Sequence, residues 1–331
     1  MNLIKRGAIQ AINCMGINSK DRVVIITDIY TKNISSYIKR ECEEKNSKVT
    51  EYILENFEKR PLKNLPLEIK KEVKNSTAIF YLAKSFPGEK TTLRMPIVKY
   101  GVQQGNARQA HMPDITAEIM KQGMNTDYKK IKKLSKKVYE LVKKAKKIEV
   151  TTEKGTNLIV TFNPKWKWII ADGDIKNSKT GWSNLPDGEV FTAPLKVNGK
   201  AVIDGCLGDY FISLGKLKTP VTLKIKNNRV IDIKTQNNKL ETELKKYIKQ
   251  DKNANRIGEF AIGTNIGLKK IIGNLLQDEK FPGVHIAMGD CYPKETLAPF
   301  PSKAHLDGVI LKTTIKVDGK EIMNKGKFKI S

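Results

Sequence analysis

The spacing of apolar positions changes several times along the chain. Arg22–Asp28 (RVVIITD) is a continuous apolar run ending on an acid, which predicts a buried strand. Thr31–Lys45 puts Ile34, Tyr37, Ile38 and Cys42 on one helical face, and Lys48–Leu54 alternates as a second strand. Strand, helix and strand within about 35 residues make a βαβ unit. A short helix at Leu67–Val73 and a strand at Thr77–Ala83 extend it. Arg108–Pro113 reads as a loop leading into a helix over Ile115–Gln122, with His111 as a hydrogen-bonded structural residue. Over Asp127–Lys147, Ile131, Leu134, Val138, Leu141, Val142 and Ala145 recur at three–four spacing. This is an amphipathic helix whose solvated face carries most of ten lysines.

Beyond it the pattern shortens. Ile148–Thr152 and Leu158–Phe162 flank Lys154-Gly155 as a hairpin. Strands are predicted at Lys200–Cys206, Asp209–Leu214, Val221–Lys226, Val230–Thr235 and Arg256–Ile262, and helices at Leu240–Lys249 and Leu268–Leu276. Val284–Met288 and a run opening at His305 follow. The last strands, Gly308–Val317 and Lys320–Ile330, turn at Asp318-Gly319. The expected architecture is α/β: a small doubly wound α/β N-terminal domain over residues 1–147, then a mostly β, α+β domain over residues 148–331. Neither G-x-G-x-x-G after the first strand nor G-x-x-x-x-G-K occurs, so nucleotide-phosphate chemistry has no support.

Charge changes the picture less than its size suggests. The 331 residues carry a formal charge of +26, but of 61 basic residues only eight are arginine. Phosphate clamps and base readers lean on arginine's planar fork. Lysine spread along the whole chain reads instead as a compositional bias at solvated positions, so nucleic acid is a disfavoured partner. Lys165-Trp166-Lys167-Trp168 is the best support for the contrary reading, a non-enzymatic basic binding protein. Four widely spaced cysteines form no C-x-x-C pair and point to a reducing, cytoplasmic compartment. Near the N-terminus, Lys5 and Arg6 precede an apolar segment broken by Gln10 and Asn13: an amphipathic helix, not a signal peptide. No apolar run reaches the roughly 20 residues of a membrane helix.

Candidate chemistry gathers in residues 279–311. His305 and Asp307, at i and i+2 of a strand, project side by side, and His285 lies on the strand before a loop marked by Pro293, Pro299 and Pro301. Glu189 and Glu259 each stand beside a glycine and an apolar run, where a carboxylate is costly unless paired or bound to a cation. Either glutamate alone fits an edge strand facing water equally well. Together the five offer three carboxylates and two imidazoles, a donor mix that suits zinc, cobalt or manganese.

Four segments in order, NLPDGEVFTAP (184–194), IGEFAIGTN (257–265), GVHIAMGDCYP (283–293) and AHLD (304–307), resemble the aminopeptidase T / aminopeptidase S family of metallo-aminopeptidases. The resemblance implies two divalent metal ions held by Glu189, Glu259, His285, His305 and Asp307, with Tyr292 as the catalytic tyrosine and Glu259 or Glu189 as a proton shuttle. It also implies a metal-activated hydroxide as the nucleophile, peptides with a free N-terminus as substrates, and a homodimer. Cys291 and Leu306 stand where that pattern has asparagine and tryptophan. A metal-dependent amidohydrolase acting on another small amide is the alternative on the same site.

Overall fold

The computed structural model describes residues 2–178 and 180–330. It divides into two compact units: the chain up to Lys129 with Asp172–Asp187, and Lys130–Ala171 with the chain from Gly188 onward.

The first unit is built on a five-stranded parallel sheet. Its order is Lys48–Ile53, Arg22–Thr27, Ala78–Tyr81, Arg108–His111, Trp182–Asn184. The expected βαβ is present, with helix Lys32–Glu43 burying Ile34, Ile38 and Cys42. Helix Leu3–Met15 opens the chain, its Asn2 side chain accepting from the amide of Ile4 and its end closed by left-handed Gly16. Arg108–His111 is a strand, not the loop expected from its polar residues. Gln109 is fully buried, and the Arg108 guanidinium is taken up by Asp21 at 2.7 Å and by the carbonyl oxygens of Gly16 and Thr77. Polarity therefore hid a central strand. Lys90–Gln103 also winds into continuous helical turns that the apolar spacing did not signal.

Doubly wound sheets bind ligands at the carboxyl ends of strands, where the strand order reverses. In this unit protein side chains fill that position, between Arg22–Thr27 and Ala78–Tyr81. The Asp28 carboxylate accepts from Lys84 N (2.6 Å), Thr31 N (2.8 Å) and Arg60 Nη1 (3.1 Å). Arg60 donates through Nε to Glu89 (2.7 Å), and Glu89 also accepts from Leu62 N (2.7 Å). Arg60, Asp28 and Glu89 are all buried, and each is hydrogen-bonded to backbone as well as to its ionic partner.

The second unit packs two antiparallel sheets. The larger runs Arg229–Lys234, Val221–Lys226, Lys196–Ile203, Asn157–Thr161, Lys147–Thr151, Thr314–Val317, Lys320–Asn324, Lys327–Phe328. The smaller runs His305–Ile310, Gly283–Gly289, Ile257–Gly263, Glu189–Thr192, Ile169–Ala171. One apolar core joins them: Val150, Val160, Val197, Ile203 and Leu223 from the first meet Val190, Phe260, Ile262, Ile286, Met288 and Leu306 from the second. Val138 and Val142 of the lysine-rich helix Tyr128–Val142 belong to the same core, and most of that helix's lysines are exposed. Trp168 packs on Phe162 and Phe260, and Trp166 on Phe300, so the aromatic–lysine alternation serves packing.

Three segments differ from expectation. Asp209–Leu214 is a tight helical turn rather than a strand, because Phe211 alone of its described residues reaches the core and Tyr210 is 71% exposed. Leu268–Leu276 is not helical, and only Leu275–Asp278 makes a turn. Gly273 is left-handed (φ 80°), and the Asp278 carboxylate takes the amides of Ile272 and Gly273 out of any helical pattern. The run Gly308–Val317 is broken at left-handed Lys312 (φ 52°), which passes the chain from the small sheet to the large one.

Replacing Arg60 by Met removes the shared cation from two buried carboxylates, which typically costs roughly 3–5 kcal/mol. Urea unfolding of Arg60→Met is expected to show a loss of that size, and a loss below about 1 kcal/mol would contradict this account of the first unit.

Candidate metal centre

Successive residues of a strand alternate between the two faces of a sheet. In the small sheet of the second unit this sorts two chemistries. Phe260, Ile262, Val284, Ile286, Met288, Leu306, Ile310 and Val190 face the apolar core. The opposite face carries Glu259, His285, His305, Asp307 and Glu189. The register sets their neighbours: Glu259 lies opposite Ala287 and Ala287 opposite Asp307, while Ala261 lies opposite His285 and Gly263 opposite Glu189. Small residues between the functional ones leave room for them to converge. A register shift between Ile257 and Glu259 adds a bulge that re-aims Glu259. Gly258 permits it, since a Cβ there would lie 2.3 Å from the Asp290 carbonyl oxygen.

The five residues singled out from the sequence are brought together. Glu259 stands between the two imidazoles and offers one oxygen to each: Oε1 lies 3.3 Å from His285 Nε2 and Oε2 lies 3.4 Å from His305 Nε2. Glu189 Oε2 is 3.4 Å from His285 Nε2, and Asp307 Oδ2 is 3.5 Å from His305 Nε2. Two triads result, Glu189/Glu259/His285 and Glu259/His305/Asp307, each with donor atoms within 4.8 Å of one another. Donors about 2.1 Å from a tetrahedral cation are spaced roughly 3.4 Å apart, which is the spacing found. Glu189 Oε2 and His285 Nδ1 are buried without a hydrogen-bond partner, and the donors are all nitrogen and oxygen. The residues fit a divalent cation.

Tyr292 Oη is 3.0 Å from His305 Nε2, and its ring meets Phe191 edge-on. Its backbone is left-handed (φ 50°), rare for a bulky residue and held here by the Asp290 side chain accepting from Tyr292 N at 3.1 Å. Cys291 is buried, with its thiol donating to the Ala298 carbonyl at 3.3 Å. Leu306 faces the core, away from the polar cluster. His111 stacks on Tyr81 and meets Trp182 edge-on within the first unit.

Two neighbours were not anticipated. Glu279 forms a third triad with His285 and Asp307, and the Lys280 amine lies 2.6 Å from Glu189 Oε1 and 2.8 Å from Glu279 Oε1. Their signal in the sequence was three consecutive charges, Asp278-Glu279-Lys280, between Leu275-Leu276 and Phe281. All three are buried.

The cluster reshapes its own titration. Burial opposes the charge on His285, but Glu259 and Glu189 outweigh it and raise the imidazole to about 9. His305 rises to about 10 against the same burial, through Asp307 and then Glu259. Burial lifts Glu279 to about 8, with Glu189 and Asp307 adding to it. Desolvation, with the surrounding carboxylates, raises the Tyr292 phenol, so it stays a neutral donor at pH 7.

The sequence profile of the thermophilic metalloprotease (M29) family matches residues 111–326. The chain belongs to this family. It is therefore a metal-dependent peptidase, and the match spans every residue of the cluster. The α/β fold with a parallel-sheet unit and an antiparallel unit agrees with that expected from the sequence. Two solved structures share it. Wild-type AmpT from Thermus thermophilus matches with a TM-score of 0.71 at 16% identity, covering 99% of this chain and 99% of that one. A 2,5-dihydroxypyridine dioxygenase from Pseudomonas putida KT2440 matches with a TM-score of 0.71 at 14% identity, covering 99% of this chain and 97% of that one. No curated protein matches the chain. The dioxygenase shows that this fold by itself does not specify the reaction.

In the metal-free metallopeptidase, the raised imidazoles contribute stability that is complete below about pH 6.5 and lost as the pH climbs through about 9 and about 10. Glu279, held protonated to about 8 when folded, loses stability in the same direction as its unfolded form ionises. Thermal melts of chelated protein are expected to fall from pH 6.5 to pH 10. The fall should flatten in a His285→Asn/His305→Asn variant, and an unchanged slope there would count against this account.

Proposed function

We propose that the protein is an aminopeptidase that removes N-terminal residues from peptides, using a co-catalytic metal pair. The observation that carries this reading is Glu259, which presents one oxygen to the His285 side (3.3 Å) and the other to the His305 side (3.4 Å). A carboxylate so placed would offer one oxygen to each of two cations, the arrangement a two-metal hydrolase could use. Glu189, Glu259 and His285 would hold one ion, and Glu259, His305 and Asp307 the other. Zinc, cobalt and manganese all accept this donor set.

When bound, such a pair polarises the scissile carbonyl and brings the pKa of a coordinated water from 15.7 toward about 7, supplying the attacking nucleophile. The chain's own residues do the rest. Tyr292, a neutral phenol 3.0 Å from His305 Nε2, donates to the oxyanion as it develops on the substrate carbonyl. The proton released on one side is returned to the leaving amine by way of the carboxylates of the cluster. A free, unprotonated N-terminal amine would bind one of the ions, which a blocked amine could not do. In the same reading the enzyme works in a reducing cytoplasm, in keeping with four buried, unbridged cysteines, and as a homodimer by its resemblance to the aminopeptidase T / S family. Among the described residues no helix is long and apolar enough to cross a membrane.

Hydrolysis of a leucine anilide tests the reading. Activity is expected to vanish with chelator, return with zinc, cobalt or manganese, and disappear when the substrate amine is acetylated. Tyr292→Phe is expected to lower kcat by about 10²–10³, the usual cost of one oxyanion donor. Glu259→Gln and His305→Ala are expected to abolish turnover in folded protein. Near-normal turnover by His305→Ala would overturn the metal assignment, and cleavage of acetylated substrate at an equal rate would move the reaction to another class of amide.

A further inference from the structure

Lys280 is 1% exposed. Burying an amine is costly unless it is paired, and its partners here are Glu189 Oε1 at 2.6 Å and Glu279 Oε1 at 2.8 Å. The fold brings it there deliberately. Gly263 lies opposite Glu189 in the sheet, and a Cβ on Gly263 would come within 2.1 Å of the Phe281 carbonyl oxygen. Without a side chain at 263, the Lys280–Phe281 backbone packs directly on the strand, fixed by Asn265 N donating to the Lys280 carbonyl at 3.0 Å. The result divides the two oxygens of Glu189. Oε1 is committed to Lys280, while Oε2 accepts no hydrogen bond and points at His285 Nε2, 3.4 Å away.

We propose that Lys280 is a positioning residue: it tethers one oxygen of Glu189 and so presents the other, alone, to a cation shared with Glu259 and His285. The inference rests on the metal pair proposed above. It assigns Glu189 a single-oxygen binding mode and explains why the Lys280 amine is buried beside the centre. A simple counter-charge has the opposite signature. Removing a positive charge strengthens cation binding at both positions, whereas removing a tether weakens only the position that contains Glu189.

Metal-free full-length protein titrated with cobalt(II) alone, followed by visible absorbance and calorimetry, separates the two. Wild type is expected to take up two equivalents, and Glu189→Ala identifies the step to which Glu189 belongs. In Lys280→Met that step is expected to weaken about 10- to 100-fold, as lost supporting contacts to a ligand usually do, with a changed cobalt spectrum and the other step moved less than about threefold. Lys280→Arg, which keeps a charged donor, is expected to recover most of the loss. Glu279→Gln/Lys280→Met, which leaves no unpaired charge at Glu279, is expected to show the same loss in a protein whose melt confirms folding. Two unchanged steps in the folded Lys280 variants, or tightening of both, would overturn the tether while leaving the pair intact. A wild type that takes up no cobalt would remove the pair and the tether together.

Discussion

Four carboxylates, Glu189, Glu259, Glu279 and Asp307, are crowded beneath the surface of one small sheet. Like charges this close and this dry cannot coexist without cations or retained protons, and Glu279 keeps its proton to about 8. The rest of the second unit is arranged to meet that requirement. Lys280 supplies one fixed positive charge, and two imidazoles supply two more by holding their protons to about 9 and about 10. A divalent ion bound there would displace those protons, since the imidazole nitrogens must be neutral to bind a metal. The centre is thus built to be held by cations in either state.

The sheet makes such crowding possible because its two faces do opposite work. One face is continuous apolar core, contributing Phe260, Ile286 and Leu306 to the packing between the two sheets. That packing anchors the same strands whose other face carries the acidic and imidazole side chains. The other face alternates functional residues with alanine and glycine: Glu259–Ala261–Gly263 on one strand and His285–Ala287–Gly289 on the next. Small spacers leave room for these side chains to converge, with donor atoms 3.3–3.5 Å apart.

The first unit solves a comparable charge problem the other way. Asp28 and Glu89 share Arg60, and they also accept from the amides of Lys84, Thr31 and Leu62 and from the Thr31 hydroxyl. The buried charges of this network are thus paired within the protein itself. Glu189 Oε2 in the second unit is the contrast: a buried oxygen left without a partner marks a place meant for something else.

By itself the sequence showed the βαβ opening, most of the antiparallel strands of the second unit and the candidates Glu189, Glu259, His285, His305 and Asp307. The strands follow from local period, and the five candidates from acids and imidazoles set in apolar strands together with the resemblance of four ordered segments. Strand Arg108–His111 was hidden because its polarity is cancelled by Asp21, far away in the chain. The excursion Asp172–Asp187, which lends a fifth strand to the parallel sheet, left no mark in the apolar spacing. Glu279 and Lys280 look like an ordinary solvated pair until Gly263 lets their backbone close on the strand opposite Glu189. Only the tertiary structure decided which oxygen of each carboxylate faces which imidazole. Register and bulges between strands far apart in the chain set those distances, and no local pattern encodes them.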